Sequence, residues 1–294
     1  MKPEADKLAI FFHPKMVVDI IFETPSPRKP AEVVAQWQQR YSLALHDFPP
    51  ATTEDFYLAH ERQHVDGLLN LSIKNGMDTQ DQEVVDSLPW TVGSLLAAAR
   101  HALQHQIAVS PTSGFHHAGY DFSWGFCTLN GLLITARKLL QQGLVRKVGI
   151  LDFDQHHGDG SENILQKLNI GEEIVHITGR TDYVREVRPF FEALPALFAR
   201  LADCDIVLYQ AGADQHIDDP LGGFLDNAQL RERDRSVFEF MHAAQIPLAW
   251  NLAGGYQESQ EGDVRSIQKV LDIHNATLEE CLRVYFPQSL GQTF

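Results

Sequence analysis

Between residues 149 and 160 the chain reads GILDFDQHHGDG, and this short run holds Asp152, Asp154, His156, His157 and Asp159. Carboxylates and imidazoles this dense at the end of an apolar run would be costly to bury unless something offsets their charge. Side chains alternate faces along a strand, so Asp152, Asp154 and His156 would point the same way if the chain stays extended. Hard oxygen and imidazole donors together suit a divalent transition metal, zinc being the commonest. Asp154 and His156, joined by Asp214 from AGADQH at 211–216, would make a two-aspartate, one-histidine site. Three protein ligands leave a position open for water and substrate, as catalytic metal sites do. The competing reading makes these acids solvated loop residues or helix caps, with Asp159 at the start of a helix the strongest candidate for a cap.

Two further stretches carry polar chemistry. SGFHHAGYDFSWGFCTLNG at 113–131 sets His116 beside His117 in a glycine-containing loop before an apolar helix. Asp152 and Asp159 are left over once a metal is satisfied, and each could hold one imidazole in a fixed tautomer and raise its basicity. In LAGGYQ at 252–257, Gly254 and Gly255 let the backbone approach a ligand closely and present Tyr256. A rival site is HERQH at 60–64, which satisfies the H-E-x-x-H pattern: on a helix His60 and His64 would share a face, with Glu61 as base. Against it, the charged Arg62 would sit badly in a buried metal helix.

The elements that must position these residues are legible from hydrophobic patterning. LAIFF at 8–12, KVGILDF at 147–153, EIVHIT at 173–178, DIVLYQA at 205–211 and PLAWNLA at 247–253 are apolar and without polar alternation. Amphipathic stretches separate them, GFCTLNGLLITARKLLQQG, PFFEALPALFARLAD and NAQLRERDRSVFEFMHAAQ among them. Such strands spaced by helices predict a parallel sheet covered on both faces, an α/β domain in three layers. Ligands gather at the carboxyl edge of such a sheet, where DQHHGDG, GADQH and GGY all fall. No repeat or interdomain linker breaks the chain, so residues 1–294 read as one domain; PSPRKP at 25–30 and NGMDTQDQE at 75–83 read as ordinary surface loops.

The 294 residues are 44% hydrophobic, enough for a sizeable core, and the formal charge of −15 argues against a phosphate-binding surface and hence against nucleic acid. There is no Walker A string and no G-x-G-x-x-G. Three scattered cysteines, Cys127, Cys204 and Cys281, with no CxxC pair, fit a reducing cytoplasm better than a disulfide framework or thiolate zinc site. The amino-terminal MKPEADKLAIFFHPK offers only five consecutive apolar residues, too few for a signal-peptide core, and no run reaches the length of a membrane span. Oligomeric state has no signature in the sequence.

Taken in order, GFHHA, GFC-x-x-N, D-x-D-x-H-H-G-D-G, AGAD-x-H-x-D-D-P-L-G-G and GGY resemble the zinc-dependent histone deacetylase family, which includes acetylpolyamine amidohydrolases. GFHHA, DPLGG, RERD and the short length are most similar to its class IV branch. The resemblance implies the arginase-like three-layer α/β/α sandwich with a mostly parallel sheet of about eight strands. It implies one Zn2+ on Asp154, His156 and Asp214, and His117 paired with Asp159 as the base toward metal-activated water. His116, paired with Asp152, would be an electrostatic partner or proton donor, and Tyr256 a donor to the carbonyl oxygen. Gly125 and Phe126 would line the acyl-lysine tunnel, with Gly254 and Gly255 also against the substrate. A structural K+ or Na+ is implied near Asp152, with Thr178 a contributor.

The implied reaction is removal of an acetyl or longer fatty acyl group from acyl-lysine in a peptide or protein, or from an acylated polyamine. Pro111-Thr112-Ser113 stands where the family often has Arg-Pro-Pro, and GRTDYVREVRPFF departs from its usual glycine-rich segment, leaving the second tunnel wall unassigned. The two-manganese arginase pattern fails here, because Gly158 stands where its Asp-x-His-x-Asp string needs the last acid. A pseudoenzyme that only binds acyl-lysine would be signalled by a lost ligand, base or tyrosine, and none is lost.

Overall fold

The computed structural model describes residues 7–18, 24–261 and 264–289; the first six residues of the amino-terminal stretch read above lie outside them. Its strands are β1 Ala9–Ile10, β2 Ala44–Leu45, β3 Ile107–Ser110, β4 Val148–Asp152, β5 Ile174–Ile177, β6 Ile206–Gln210, β7 Leu248–Asn251, β8 Ser259–Glu261 and β9 Val264–Ser266. Its helices are α1 Lys29–Arg40, α2 Thr53–Phe56, α3 Arg62–Leu69, α4 Gln82–His105, α5 Gly131–Gln141, α6 Asp159–Leu168, α7 Val187–Ala199, α8 Asn227–Ala244 and α9 Gln268–Tyr285.

Seven strands form one sheet in the order β2-β1-β3-β7-β6-β4-β5, and every pairing in it is parallel. All five apolar runs became strands. Among the described residues the sheet has seven strands, in keeping with the expected count of about eight; β8 and β9 lie outside it, paired with each other as an antiparallel hairpin. β4, β6 and β7 are buried along their whole length, and their residues divide between two cores. Leu151, Tyr209 and Trp250 pack with α1, α7, α8 and α9 on one face, while Ile150, Leu208 and Ala249 pack with α4 and α5 on the other. That alternation makes the three layers.

Strand register sets the floor of the site. Asp152 of β4 pairs with Gln210 of β6, and Gln210 with Asn251 of β7, so the three carboxyl ends finish level. The loops after them carry Asp154, Asp214 and Tyr256 over one crevice, as in other open parallel sheets. Helix α5 starts only at Gly131, where the Asn130 side chain caps it by accepting from Leu133 N; the GFCTL part of that stretch is loop. Among the described residues, no helix is long and apolar enough to cross a membrane.

Candidate active site

Just past β4, the Asp154 carboxylate receives the backbone N–H of His156 on one oxygen (2.9 Å) and that of Gly254 on the other (2.9 Å). After β6, Asp214 receives Gln155 N at 3.1 Å. His156 Nδ1 lies 3.1 Å from both Asp154 Oδ1 and Asp214 Oδ2, while Nε2 faces the Leu221 carbonyl at 3.2 Å. Donation of Nε2–H to that carbonyl leaves the Nδ1 lone pair toward the carboxylates, the arrangement a metal-ligating histidine needs.

One ligand atom from each of these three residues lies within 4.8 Å of the others, and among the described residues this is the sole acid, histidine and cysteine group that converges so. The donor chemistry fits a divalent transition ion. Asp154 and Asp214 are fully buried side by side, and burial together with the Asp154 charge pushes the Asp214 carboxyl far up. Hydrogen bonds to the two carboxylates in turn push His156 up to about 10. A divalent cation would relieve this clash of charges. The backbone makes room for it, since a Cβ on Gly254 would run into both carboxylates. Stripping the ion with a chelator is therefore expected to lower Tm by roughly 5–10 °C, given a metal present at about 100 times its Kd. Differential scanning calorimetry with and without added zinc checks this, and Asp214→Asn, which removes one of the opposed charges, should narrow the gap.

The histidine pair stands beside the triad, each ring held at Nδ1. His116 Nδ1 meets Asp152 Oδ2 at 2.7 Å, and His117 Nδ1 meets Asp159 Oδ1 at 2.7 Å. Asp152 is completely buried, and its other oxygen accepts from Gln210 Nε2 (2.8 Å) and Asp154 N (3.2 Å). Against the cost of burial, the charges of Asp152 and Asp154 hold His116 protonated, pushed up to about 9. Burial has the upper hand at His117, whose pKa falls below the ordinary value despite the Asp159 hydrogen bond. The two rings therefore differ in protonation: a cation facing Asp154, and a neutral base. Asp159 lies in the first turn of α6 and accepts from Gly160 N, but Gly158 is the cap position, so the carboxylate serves His117.

Trp124, Gly125, Phe126 and Cys127 form a tight turn with positive φ at both central residues, closed by Cys127 N donating to Trp124 O at 2.9 Å. A Cβ at Gly125 would come within 2.6 Å of the His117 ring, so the glycine serves both the turn and the seating of that ring. The Phe126 and Tyr256 rings stand 5.8 Å apart, and Trp124 lies over His117 at 4.7 Å. Gly254 and Gly255, the latter at φ +142°, carry the chain to Tyr256, whose hydroxyl is held protonated by burial and by the charges of Asp154 and Asp214.

Both segments expected to be ordinary surface loops turn out to support the site. Within 75–83, Asn75 and Gly76 are buried: Gly76 N donates to Thr128 Oγ1, and its carbonyl accepts Phe126 N. Within 25–30, Lys29 is completely buried at the start of α1, and its Nζ donates to the Ala253 carbonyl at 2.5 Å, just ahead of Gly254. Burial pushes that amine down to about 8 against the pull of Asp214, Asp154 and Asp219. Charge on a lysine conceals such a role, since lysines are almost never fully buried. Asp219 and Leu221 were also missed. Asp219 receives the backbone N–H groups of Leu221 (3.0 Å) and Tyr256 (2.8 Å), tying two loops together. The half-exposed Leu221 brings an apolar side chain to the loop that braces His156, a candidate for the unassigned wall.

The HERQH reading is overturned. His60 and Glu61 precede α3, so the two histidines share no helical face. His60 Nδ1 donates to Gly119 O (2.7 Å) and Nε2 accepts Asn130 N (2.8 Å), leaving no lone pair for a metal, and burial lowers its pKa to about 3. His64 instead bonds Ser123 Oγ. Near the expected monovalent cation, Thr178 Oγ1 accepts Gly158 N and lies 3.5 Å from Asp152 Oδ2. There the carbonyls of Asp152 and Asp154 already face the Tyr183 hydroxyl, at 3.3 and 3.4 Å.

Comparison with known proteins places these features in context. Residues 25–178 match the histone deacetylase domain. An uncharacterised protein of Picosynechococcus is 31% identical over 200 residues, covering 58% of this chain and 67% of that one. Histone deacetylase 2 of Arabidopsis thaliana is 27% identical over 203 residues; the match covers 60% of this chain and about half, 51%, of the plant protein. Among solved structures, an acetylpolyamine aminohydrolase from Burkholderia pseudomallei superposes with a TM-score of 0.74 over 95% of this chain and 99% of that one, at 15% identity, a likeness of fold.

Proposed function

The chain belongs to the histone deacetylase domain family, and from that premise we propose that it is a zinc-dependent deacylase. The proposed reaction removes an acyl group, by default acetyl, from the amine of an acyl-lysine or an acylated polyamine. Family membership supports deacylation in general. The observation that carries the finer reading is the convergence of Asp154, His156 and Asp214 beside two histidines, each held at Nδ1 by its own aspartate.

A zinc ion held by that triad would supply Lewis acidity toward the amide carbonyl and toward the attacking water. His117 takes the water's proton at Nε2, its Nδ1 being engaged by Asp159. His116, positive and buried, keeps its charge opposite Asp154 and lowers the cost of negative charge building on the substrate. Tyr256 donates its hydroxyl hydrogen to the carbonyl oxygen as the tetrahedral intermediate forms. Phe126 and Trp124 give the substrate stem an apolar passage. An apolar cavity of about 80 Å³, lined by Met16, Met77, Leu88 and Leu129, lies behind Phe126 and is the space a longer acyl chain would have to enter.

His117 sets the expected pH dependence. Its folded pKa lies below 6.5, so it is a free base at neutrality, and kcat/KM should fall on acidification through that lowered value. Asp159→Asn removes the charge that raises the His117 pKa; the acid limb should then move to still lower pH while the plateau rate drops. A limb that stayed in place would argue that His117 is not the base. The reading as a whole is tested with lysine peptides carrying acetyl, trifluoroacetyl, octanoyl and myristoyl groups, run beside acetylated polyamines. Hydrolysis of at least one series, abolished by chelation, is expected; inertness toward all of them would overturn it.

A further inference from the structure

At the opposite, amino-terminal edge of the sheet lies a cavity of about 430 Å³ that the proposed reaction does not use. His46, His101, His105 and His242 line it, and among the described residues that line it none is acidic. His101 and His105 stand one turn apart near the end of α4 with ring centroids 4.3 Å apart, and His46 lies 5.1 Å from His101. Two buried polar atoms on the same wall, Gln106 Oε1 and the Tyr285 hydroxyl, have no hydrogen-bond partner. Orphaned polar atoms of this kind ask for a ligand.

The electrostatics favour a cation. Helices α4, α8 and α9 all end at this cavity, at His105–Gln106, Ala244–Gln245 and Tyr285–Phe286, so the negative ends of three helix dipoles converge on it. The only cationic side chain among those lining residues, Lys7, has a stem long enough to keep its ammonium in water. Histidines spaced i, i+4 on a helix present two nitrogens to one ion, and imidazole donors without carboxylates select zinc, copper or nickel over magnesium or calcium.

We propose that His101 and His105, with His46 as third donor and Gln106 Oε1 beside them, form a second binding site for a divalent transition-metal ion, separate from the catalytic triad. The His101 ring neighbours each of the other two and the three do not yet converge on a point, so the ion would turn His46 inward. A bound ion would pin the end of α4 to the segment after β2, joining two elements that both lead into the site-bearing layers.

The test uses the full chain carrying Asp154→Asn, which disables the triad, with Cu2+ and Zn2+ as separate probes under equilibrium dialysis. About one ion per chain should remain bound, and the Cu2+ electron paramagnetic resonance spectrum should carry nitrogen hyperfine structure from imidazole. His101→Ala and His105→Gln should each weaken that binding at least about tenfold, the lower bound seen when even an outer partner of a metal site is lost. His13→Gln, at a histidine outside the cavity lining, should not. Because His105 is exposed, His105→Gln keeps the test decisive even where His101→Ala folds poorly. Absence of a bound ion, or binding indifferent to both substitutions, would overturn the proposal, and neither outcome touches the deacylase reading, which rests on other residues.

Discussion

Asp154→Asn is expected to leave a folded chain that no longer holds zinc at the triad and deacylates about 10³- to 10⁴-fold more slowly. The magnitude follows from the several kcal/mol that a bound ion contributes to transition-state charge, at 1.36 kcal/mol per tenfold in rate. Folding should survive because the amide oxygen keeps one of the two backbone N–H groups that the carboxylate accepts, and the loss of the other is offset by removing a buried charge that opposes Asp214. Circular dichroism with metal analysis of the triad ion separates the two halves of this expectation. Unchanged activity in a zinc-free variant would remove the triad from the mechanism.

Tyr256→Phe is expected to retain metal and fold while losing about 10²- to 10³-fold in kcat, the loss seen when a preorganised oxyanion donor is deleted. KM should change far less, since the hydroxyl acts on charge that develops after binding. The backbone tie to Asp219 runs through Tyr256 N and is untouched by the substitution, so the loop should stay placed. A wild-type rate in this variant would show that the carbonyl oxygen finds its donor elsewhere.

The main lines of the fold were legible because parallel strands covered on both faces leave nearly continuous apolar runs, as β4, β6 and β7 do. Strand β3 is four residues directly after a long helix, and β2 only two at a sheet edge, too short for periodicity to register. Asp154, His156 and Asp214 could be found because polar residues at the ends of buried strands stand out against their surroundings. Lys29, Asn75 and Gly76 could not: they lie in proline- or polar-rich segments whose composition says surface, and only tertiary packing buries them. HERQH failed for the converse reason. Its spacing is helical, but Glu61 sits at the cap position of α3 and His60 outside the helix; the two rings stay neighbours, 6.2 Å apart, yet hydrogen bonds to Gly119 and Asn130 take both nitrogens of His60.

Zinc titration into the metal-stripped chain, followed by hydrolysis of an acetyl-lysine peptide, tests the central claim most directly. Activity should be negligible in the stripped wild type and return as the triad fills, and His156→Ala should recover none of it at the same zinc concentrations. Full hydrolysis by the stripped chain, or its recovery in His156→Ala, would contradict the account.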